Sequence, residues 1–298
     1  MVAVELAHVT KTFGAVRAVD DVSYSVEKGE FFGLLGPNGA GKTTTLRILL
    51  DIFKPDAGSV QVLGGPLTEA KKDHIGYMPE ERGLYQDIPL DRCLAYLGAL
   101  KGMSQADVKQ RAQGYLERFD LADSRHKKVK ELSKGMQQKA QIIATLLHEP
   151  ELLIVDEPFS GLDPVNTQMV KDLLREQREK GVTIVLCSHQ MNLVEELCDR
   201  IVLIDHGKVV LYGELADIRK RFSGNAVLVG SSQELPALTG VDSIERVNGT
   251  VKLNLAKGTE PQSILQDLVS RRIPVERFEI AMPTLDEIFI RVVQGESE

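Results

Sequence analysis

The run Gly36-Pro37-Asn38-Gly39-Ala40-Gly41-Lys42-Thr43 holds the clearest chemistry in the chain. It fits the spacing GxxxxGK[ST], with an apolar strand-like run before it and a helical run after it. Glycines let the backbone curl until successive N–H groups converge on phosphate oxygens, and a helix start adds the positive end of its dipole. Lys42 supplies a cation for β- and γ-phosphates, the Thr43 hydroxyl can ligate Mg²⁺, and Thr44 is grouped with the binding residues. A second constellation is Leu152-Leu153-Ile154-Val155-Asp156-Glu157, an apolar strand that ends in two carboxylates. The C-terminal ends of parallel strands face the ligand crevice. Asp156 is thus placed to hold Mg²⁺ through water, and Glu157 to take a proton from an attacking water. Alone, that pair is indistinguishable from an acidic strand-to-loop turn; the phosphate loop gives it meaning.

Positioning these residues takes strands and helices in alternation. Phe31–Leu35 reads as a buried strand, and Thr43 to Phe53 as a helix stopped by Lys54-Pro55. Val22, Tyr24 and Val26 alternate with polar neighbours, the pattern of a half-buried strand. Further short buried strands are expected at Ser59–Leu63, Leu152–Asp156, Val182–Cys187 and Arg200–Ile204, with helices between the last three. Asp163-Pro164 suits a helix opening and Gly181 its stop. Fully apolar strands alternating with helices predict a parallel α/β sheet. Residues 84–147 lack β-branched runs and read as a helical insertion into that core. Past Phe222 the pattern shifts to short strands at Ala226–Val229, Ser243–Val247 and Val251–Leu255, with Asn248-Gly249 as a hairpin turn. A helix over Pro261–Arg272, a strand over Val275–Ile280 and a capping box at Thr284–Glu287 complete a separate α+β unit, its last helix apolar along Leu285, Ile288, Phe289 and Val292. The expected domains are 1–221 and 222–298.

Composition narrows the function classes. The 298 residues carry 36 Lys and Arg against 43 Asp and Glu, a net charge of −7 that argues against a nucleic-acid partner. Hydrophobic residues at 43% exclude a disordered chain. Cys93, Cys187 and Cys198 are far apart without a CxxC pattern, which disfavours a disulfide scaffold or zinc module and fits a reducing cytosol. No signal peptide is visible at the start, and no apolar run approaches the roughly 20 residues a bilayer crossing needs. Any membrane role is therefore borrowed from a partner.

The order of the motifs resembles the ATP-binding subunit of an ABC transporter, over residues 2 to about 220. Leu132-Ser133-Lys134-Gly135-Met136 stands where that family has its LSGGQ-type signature. Ser160-Gly161-Leu162-Asp163 resembles the D-loop, and His189 the switch histidine. Phe13 sits where an aromatic ring stacks on adenine, although a plain core role fits it too. Two departures stand out. Glu80, in Ile75-Gly76-Tyr77-Met78-Pro79-Glu80, replaces the family's Q-loop glutamine, and its carboxylate can approach Mg²⁺ but cannot donate a hydrogen bond. Lys134 and Met136 replace a glycine and a glutamine; Lys134 either adds a cation near a partner's γ-phosphate or points to solvent. The stretch from Pro79 to Tyr85 and the ending Pro283–Phe289 resemble type-two exporters, a subset that includes sodium-efflux, drug- and lipid-related systems.

The resemblance implies a P-loop NTPase core of ABC type with a helical subdomain, plus a small C-terminal α+β domain for which a ferredoxin-like arrangement is one candidate. It implies ATP and Mg²⁺ as cofactors, with Thr43, Asp156 and Glu80 around the metal. Glu157, His189, Glu80 and Asp163 fall to the hydrolytic machinery, and Ser133 and Gly135 cap ATP bound to a second ATPase chain, identical or not. The implied partner is an integral membrane permease, docked near residues 81–85 and the helical insertion, and the location is the cytoplasmic face of the cell membrane. The competing function is a soluble ABC ATPase with a regulatory or mechanical role. The C-terminal domain is open to two readings, regulatory docking and added dimer contacts.

Overall fold

The structure, a computed structural model, describes residues 1–81, 83–223, 225–247 and 250–293. The expected turn at Asn248-Gly249 lies outside the described residues, as does Arg82. Two compact units emerge, Met1–Glu214 and Leu215–Glu298. The boundary falls seven residues before the sequence expectation because the helix Leu215–Arg221 clusters with the C-terminal strands and helices. Within that second unit Arg219 Nε donates to the Pro283 carbonyl at 3.1 Å.

In chain order the first unit contains β1 (Val2–Phe13), β2 (Val16–Glu27), β3 (Phe31–Leu35), α1 (Lys42–Leu49), β4 (Ala57–Val62), α2 (Glu69–Lys72), β5 (Ile75–Met78), α3 (Leu90–Leu100), α4 (Gln105–Arg118), α5 (Lys134–Leu146), β6 (Leu152–Asp156), α6 (Pro164–Glu179), β7 (Thr183–Cys187), α7 (Met191–Leu197), β8 (Arg200–Asp205) and β9 (Lys208–Glu214). Six strands form one sheet in the order β5-β6-β7-β3-β8-β9. All its pairs are parallel except the edge pair β8–β9. Every residue of β3, β6 and β7 is buried, which is why these strands read as unbroken apolar runs.

A second, antiparallel sheet has the order β2-β1-β4. The stretch expected as a buried strand at 59–63 is β4 at the edge of this sheet, mostly exposed, and not part of the parallel sheet. Val22, Tyr24 and Val26 of β2 share a core with Phe32 and Leu34 of β3, Leu46 and Leu49 of α1, and Ile154 of β6. Tyr24 stacks on Phe32 with ring centroids 5.5 Å apart. The helix after the phosphate loop ends at Leu49 rather than at Lys54-Pro55, because Asp51 takes a left-handed φ of 61°. Between β5 and β6 the chain is helical, as α3, α4, two short 3-10 turns and α5.

The second unit contains α8 (Leu215–Arg221), β10 (Ala226–Gly230), β11 (Val241–Val247), β12 (Thr250–Leu255), α9 (Pro261–Ser270), β13 (Arg277–Ile280) and α10 (Leu285–Val293). Its strands pair antiparallel in the order β11-β12-β10-β13. Counted from β10, that is second, third, first, fourth, the strand order of the ferredoxin-like motif. The first crossover helix of that motif is replaced by the irregular residues 231–240. Val227, Val229, Leu253 and Leu255 pack with Ile264 and Leu268 of α9. Thr284 and Glu287 form the expected capping box, with each side chain accepting from the other's backbone N–H.

Candidate active site

The loop from β3 to α1 gets its shape from glycines at strained angles. Gly36 has φ 147° and Gly41 φ 107°; a Cβ there would meet the Ile204 carbonyl oxygen at 2.1 Å and the Ala18 carbonyl oxygen at 2.3 Å. Only glycine fits at either position. The loop borders a cavity of about 390 Å³, lined by Asn38, Gly39, Gly41, Lys42, Thr43, Thr44, Glu80, Asp156, Glu157, His189 and Ala18. Gly36, Pro37 and Ala40 do not line it. Gly36 and Pro37 instead offer their carbonyls to Lys42 Nζ, at 2.8 and 3.0 Å, so the ammonium rests folded against its own loop.

Asp156, the last residue of β6, and Glu157 after it line the same cavity. Asp156 is 2% exposed, and burial pushes its carboxyl pKa up. The neighbouring Cys187 thiol at the end of β7 pulls the other way, the Glu80 and Glu157 charges add to the rise, and Lys42 opposes it. Its Oδ2 is buried without a hydrogen-bond partner. A buried carboxylate oxygen without a partner, in a residue that lines the same cavity as Thr43, fits Mg²⁺. Among the described residues no three or more His, Cys, Asp or Glu side chains form a metal cage. Mg²⁺ needs none, because it keeps water and phosphate ligands.

Glu157 is held on several sides. Its φ of 50° is left-handed, a strained geometry concentrated at functional sites. Oε2 accepts from Ser188 Oγ at 3.1 Å, and Oε1 accepts from the His189 backbone N–H at 2.8 Å. His189 Nδ1 lies 2.6 Å from the same Oε1. The resemblance to the switch histidine set His189 in the hydrolytic machinery; here its ring faces Glu157 and lines the cavity. Ser188 and Cys187 were missed as site residues, although they adjoin His189 in the run Cys187-Ser188-His189.

The remaining candidates lie outside the cavity. Ser133 caps α5, accepting from Met136 N at 3.3 Å, and its hydroxyl is exposed. Lys134 is exposed and Gly135 half-buried. Asp163 caps α6, and the Asn166 backbone and side-chain N–H groups hold its carboxyl below the usual range. Phe13 is 43% exposed and meets Phe53 edge-on at 5.3 Å, so it is neither core nor cavity wall. A larger cleft of about 660 Å³ lies among α3, α4 and the turn after α4, but it holds none of these residues. Chemistry, not size, selects the site.

Comparison with known proteins agrees with this geometry. A family model described as ABC transporter matches residues 19–160, and one described as ATP-binding protein DrrA1-3-like, C-terminal domain, matches residues 213–293. The chain is 42% identical over 290 residues to the uncharacterized ABC transporter ATP-binding protein YhaQ of Bacillus subtilis (strain 168), covering 96% of this chain and 97% of that one. The chain belongs to the family of ABC transporter ATP-binding proteins. It is 34% identical over 306 residues to the Nod factor export ATP-binding protein I of Rhizobium sp. (strain N33), covering 100% of this chain and 99% of that one. A solved dimeric bacterial ABC transporter cassette matches with a TM-score of 0.66 at 27% identity, over 71% of this chain and 98% of that one. The first unit thus has the ABC-type α/β fold, and the chain is a nucleotide-binding ATPase subunit coupled to transport. Among the described residues no helix is long and apolar enough to cross a membrane.

Proposed function

We propose that this ABC subunit powers export through a membrane-embedded permease, as a peripheral chain on the cytoplasmic face, and that two ATPase chains share each nucleotide. One observation carries the pairing. Lys42, Asp156 and Glu157 line a single cavity, whereas Ser133, Gly135 and Asp163 contribute nothing to it. A triphosphate in that cavity leaves one side for a second chain to cover with Ser133 and Gly135. Export direction rests on likeness to the Nod factor export protein.

Within the site, the loop N–H groups and Lys42 bind the phosphates, with Lys42 Nζ leaving its loop carbonyls for phosphate oxygens. Thr43, Asp156 and Glu80 would hold Mg²⁺, which when bound neutralises charge on the phosphates. Glu157, oriented by Ser188 and His189, accepts a proton from the attacking water. His189 passes between Glu157 and the γ-phosphate, and Asp163 links the two sites across the pair. Phe13 offers an exposed ring to adenine. For the permease, Tyr85 and Tyr96 offer an exposed edge-to-face pair with centroids 5.3 Å apart, each 48% exposed. Aromatic pairs of this kind anchor interfaces.

The test is the mass of purified Glu157→Gln protein by light scattering, with Mg²⁺ and ATP and with detergent-extracted membranes supplied. Doubling on ATP addition, together with capture of a multi-span membrane protein, supports the proposal. A single chain under every condition overturns it.

A further inference from the structure

We infer that Gln141 is a positioning residue of the ATPase site, because its side-chain amide fastens the stretch around Glu80 to α5. The inference rests on the role proposed above for Glu80. Gln141 is 3% exposed. Its Nε2 donates to the Pro79 carbonyl at 2.8 Å and to the Glu81 carbonyl at 3.4 Å, while its Oε1 accepts from the Gly83 N–H at 3.3 Å. Both amide protons and one acceptor position are thus spent on main chain 58 to 62 residues earlier. The bonds bracket Glu80, whose side chain lines the phosphate cavity and also an adjoining cleft with Gln138 and Ser160.

One turn before it, Gln138 makes the matching connection. It is 4% exposed, and its Nε2 donates to the Glu157 carbonyl at 3.3 Å and the Pro158 carbonyl at 3.0 Å. Residues three apart share a helix face. One face of α5 therefore grips the backbone beside both Glu80 and Glu157, and Ser133 opens the same helix. Gln141 adds no charge beside the metal and phosphate groups, so its contribution is geometric. An apolar side chain of equal length would fill the space but leave Pro79 O, Glu81 O and Gly83 N without partners. Glu80 would then move independently of the helix.

Full-length Gln141→Met and Gln141→Glu test this. Methionine keeps length and volume without the hydrogen bonds; glutamate keeps an acceptor for Gly83 and loses both donors. In both, the Mg²⁺ concentration for half-maximal ATPase is expected to rise roughly five- to tenfold, the scale of one or two net hydrogen bonds, with metal-free ATP affinity unchanged. Adding Glu80→Ala to either variant should then change little, because the two residues act on one step. Independently of Glu80, hydrogen exchange in the peptide spanning Gly83 should quicken in Gln141→Met. Unaltered exchange overturns the inference, as do strictly additive effects when Glu80→Ala alone shifts the Mg²⁺ dependence. If Glu80→Ala alone leaves that dependence unchanged, the role of Glu80 falls, and the exchange rate still decides the fastening by Gln141.

Discussion

The anchoring side of the site and the capping side are built differently. Around Lys42 the structure spends strained backbone: glycines at φ 147° and 107°, and a left-handed Glu157 at 50°. Ser133 and Asp163 sit instead in ordinary extended geometry, as N-caps of α5 and α6. The anchor faces a polar cavity within one chain, whereas the caps face solvent and already perform a local task. The difference teaches that strained backbone collects around the cavity that one chain lines by itself. If Ser133 and Asp163 serve a second chain as proposed above, they do so from helix ends at no conformational cost.

The largest effect expected is at the anchor. Glu157→Gln keeps the size but removes the proton acceptor proposed above, so phosphate release should fall about 10²–10⁴-fold. Equilibrium ATP binding should stay unchanged. An equal loss of binding would mean that Glu157 serves the anchor's structure rather than its chemistry. Next is Lys42→Ala, which deletes a charged donor to phosphate. ATP affinity by calorimetry should weaken about 10- to 100-fold, the equivalent of roughly 1.5–3 kcal/mol for hydrogen bonds to a charged group. If Ser133 substitutions in the isolated chain matched that loss, the contrast between anchor and cap would disappear.

How legible each side was follows from the same contrast. The loop Gly36–Thr43 and the pair Asp156-Glu157 are contiguous and bounded by apolar strands, so both residue type and strand end could be read. The Ser188–Glu157 bond spans 31 residues and the Gln141–Pro79 bond 62, and no local pattern announces such partners. Asp163 was legible as a helix opening from the proline after it, and it caps α6. Ser133 was read through its resemblance to the signature, and its place as the N-cap of α5 came from the structure. Among the elements, β9 escaped notice because only Leu211 of its seven residues is buried. Edge strands such as β4 and β9 carry weak alternation, and α1 ends just before Asp51, whose left-handed backbone suits aspartate but was masked by the apolar spacing continuing to Phe53.

A smaller effect concerns the far end of the capping helix. His148 lies just beyond α5, and its Nε2 is 3.1 Å from the Ile75 carbonyl, while its Nδ1 is buried without a partner. Burial lowers its pKa from 6.5 to about 4, against a raising contribution from the Ile75 carbonyl. The unfolded chain therefore takes up this proton before the folded one does. Stability held above pH 6.5 is lost as pH falls toward 4, by at most about 1.4 kcal/mol per unit. His148→Gln keeps a donor for Ile75 without titrating, so its thermal midpoint should fall less between pH 7 and 5. An unchanged acid slope would show that the α5 end is not acid-labile through this residue.

The smallest effect on stability, and the sharpest test of the contrast, is at Ser133. Removing a capping hydroxyl usually costs about 1 kcal/mol when alanine replaces it, but only a few tenths with glycine. Ser133→Gly therefore leaves α5 nearly as stable while deleting the hydroxyl a neighbouring chain's phosphate would meet. A residue that merely caps would lose almost nothing in the glycine variant. A residue that also covers nucleotide would lose ATP-driven pairing, measured by light scattering in the Glu157→Gln background, while single-chain ATP affinity holds. Comparing alanine with glycine separates the two roles: stability should rank alanine below glycine, whereas pairing should be weakened by both alike.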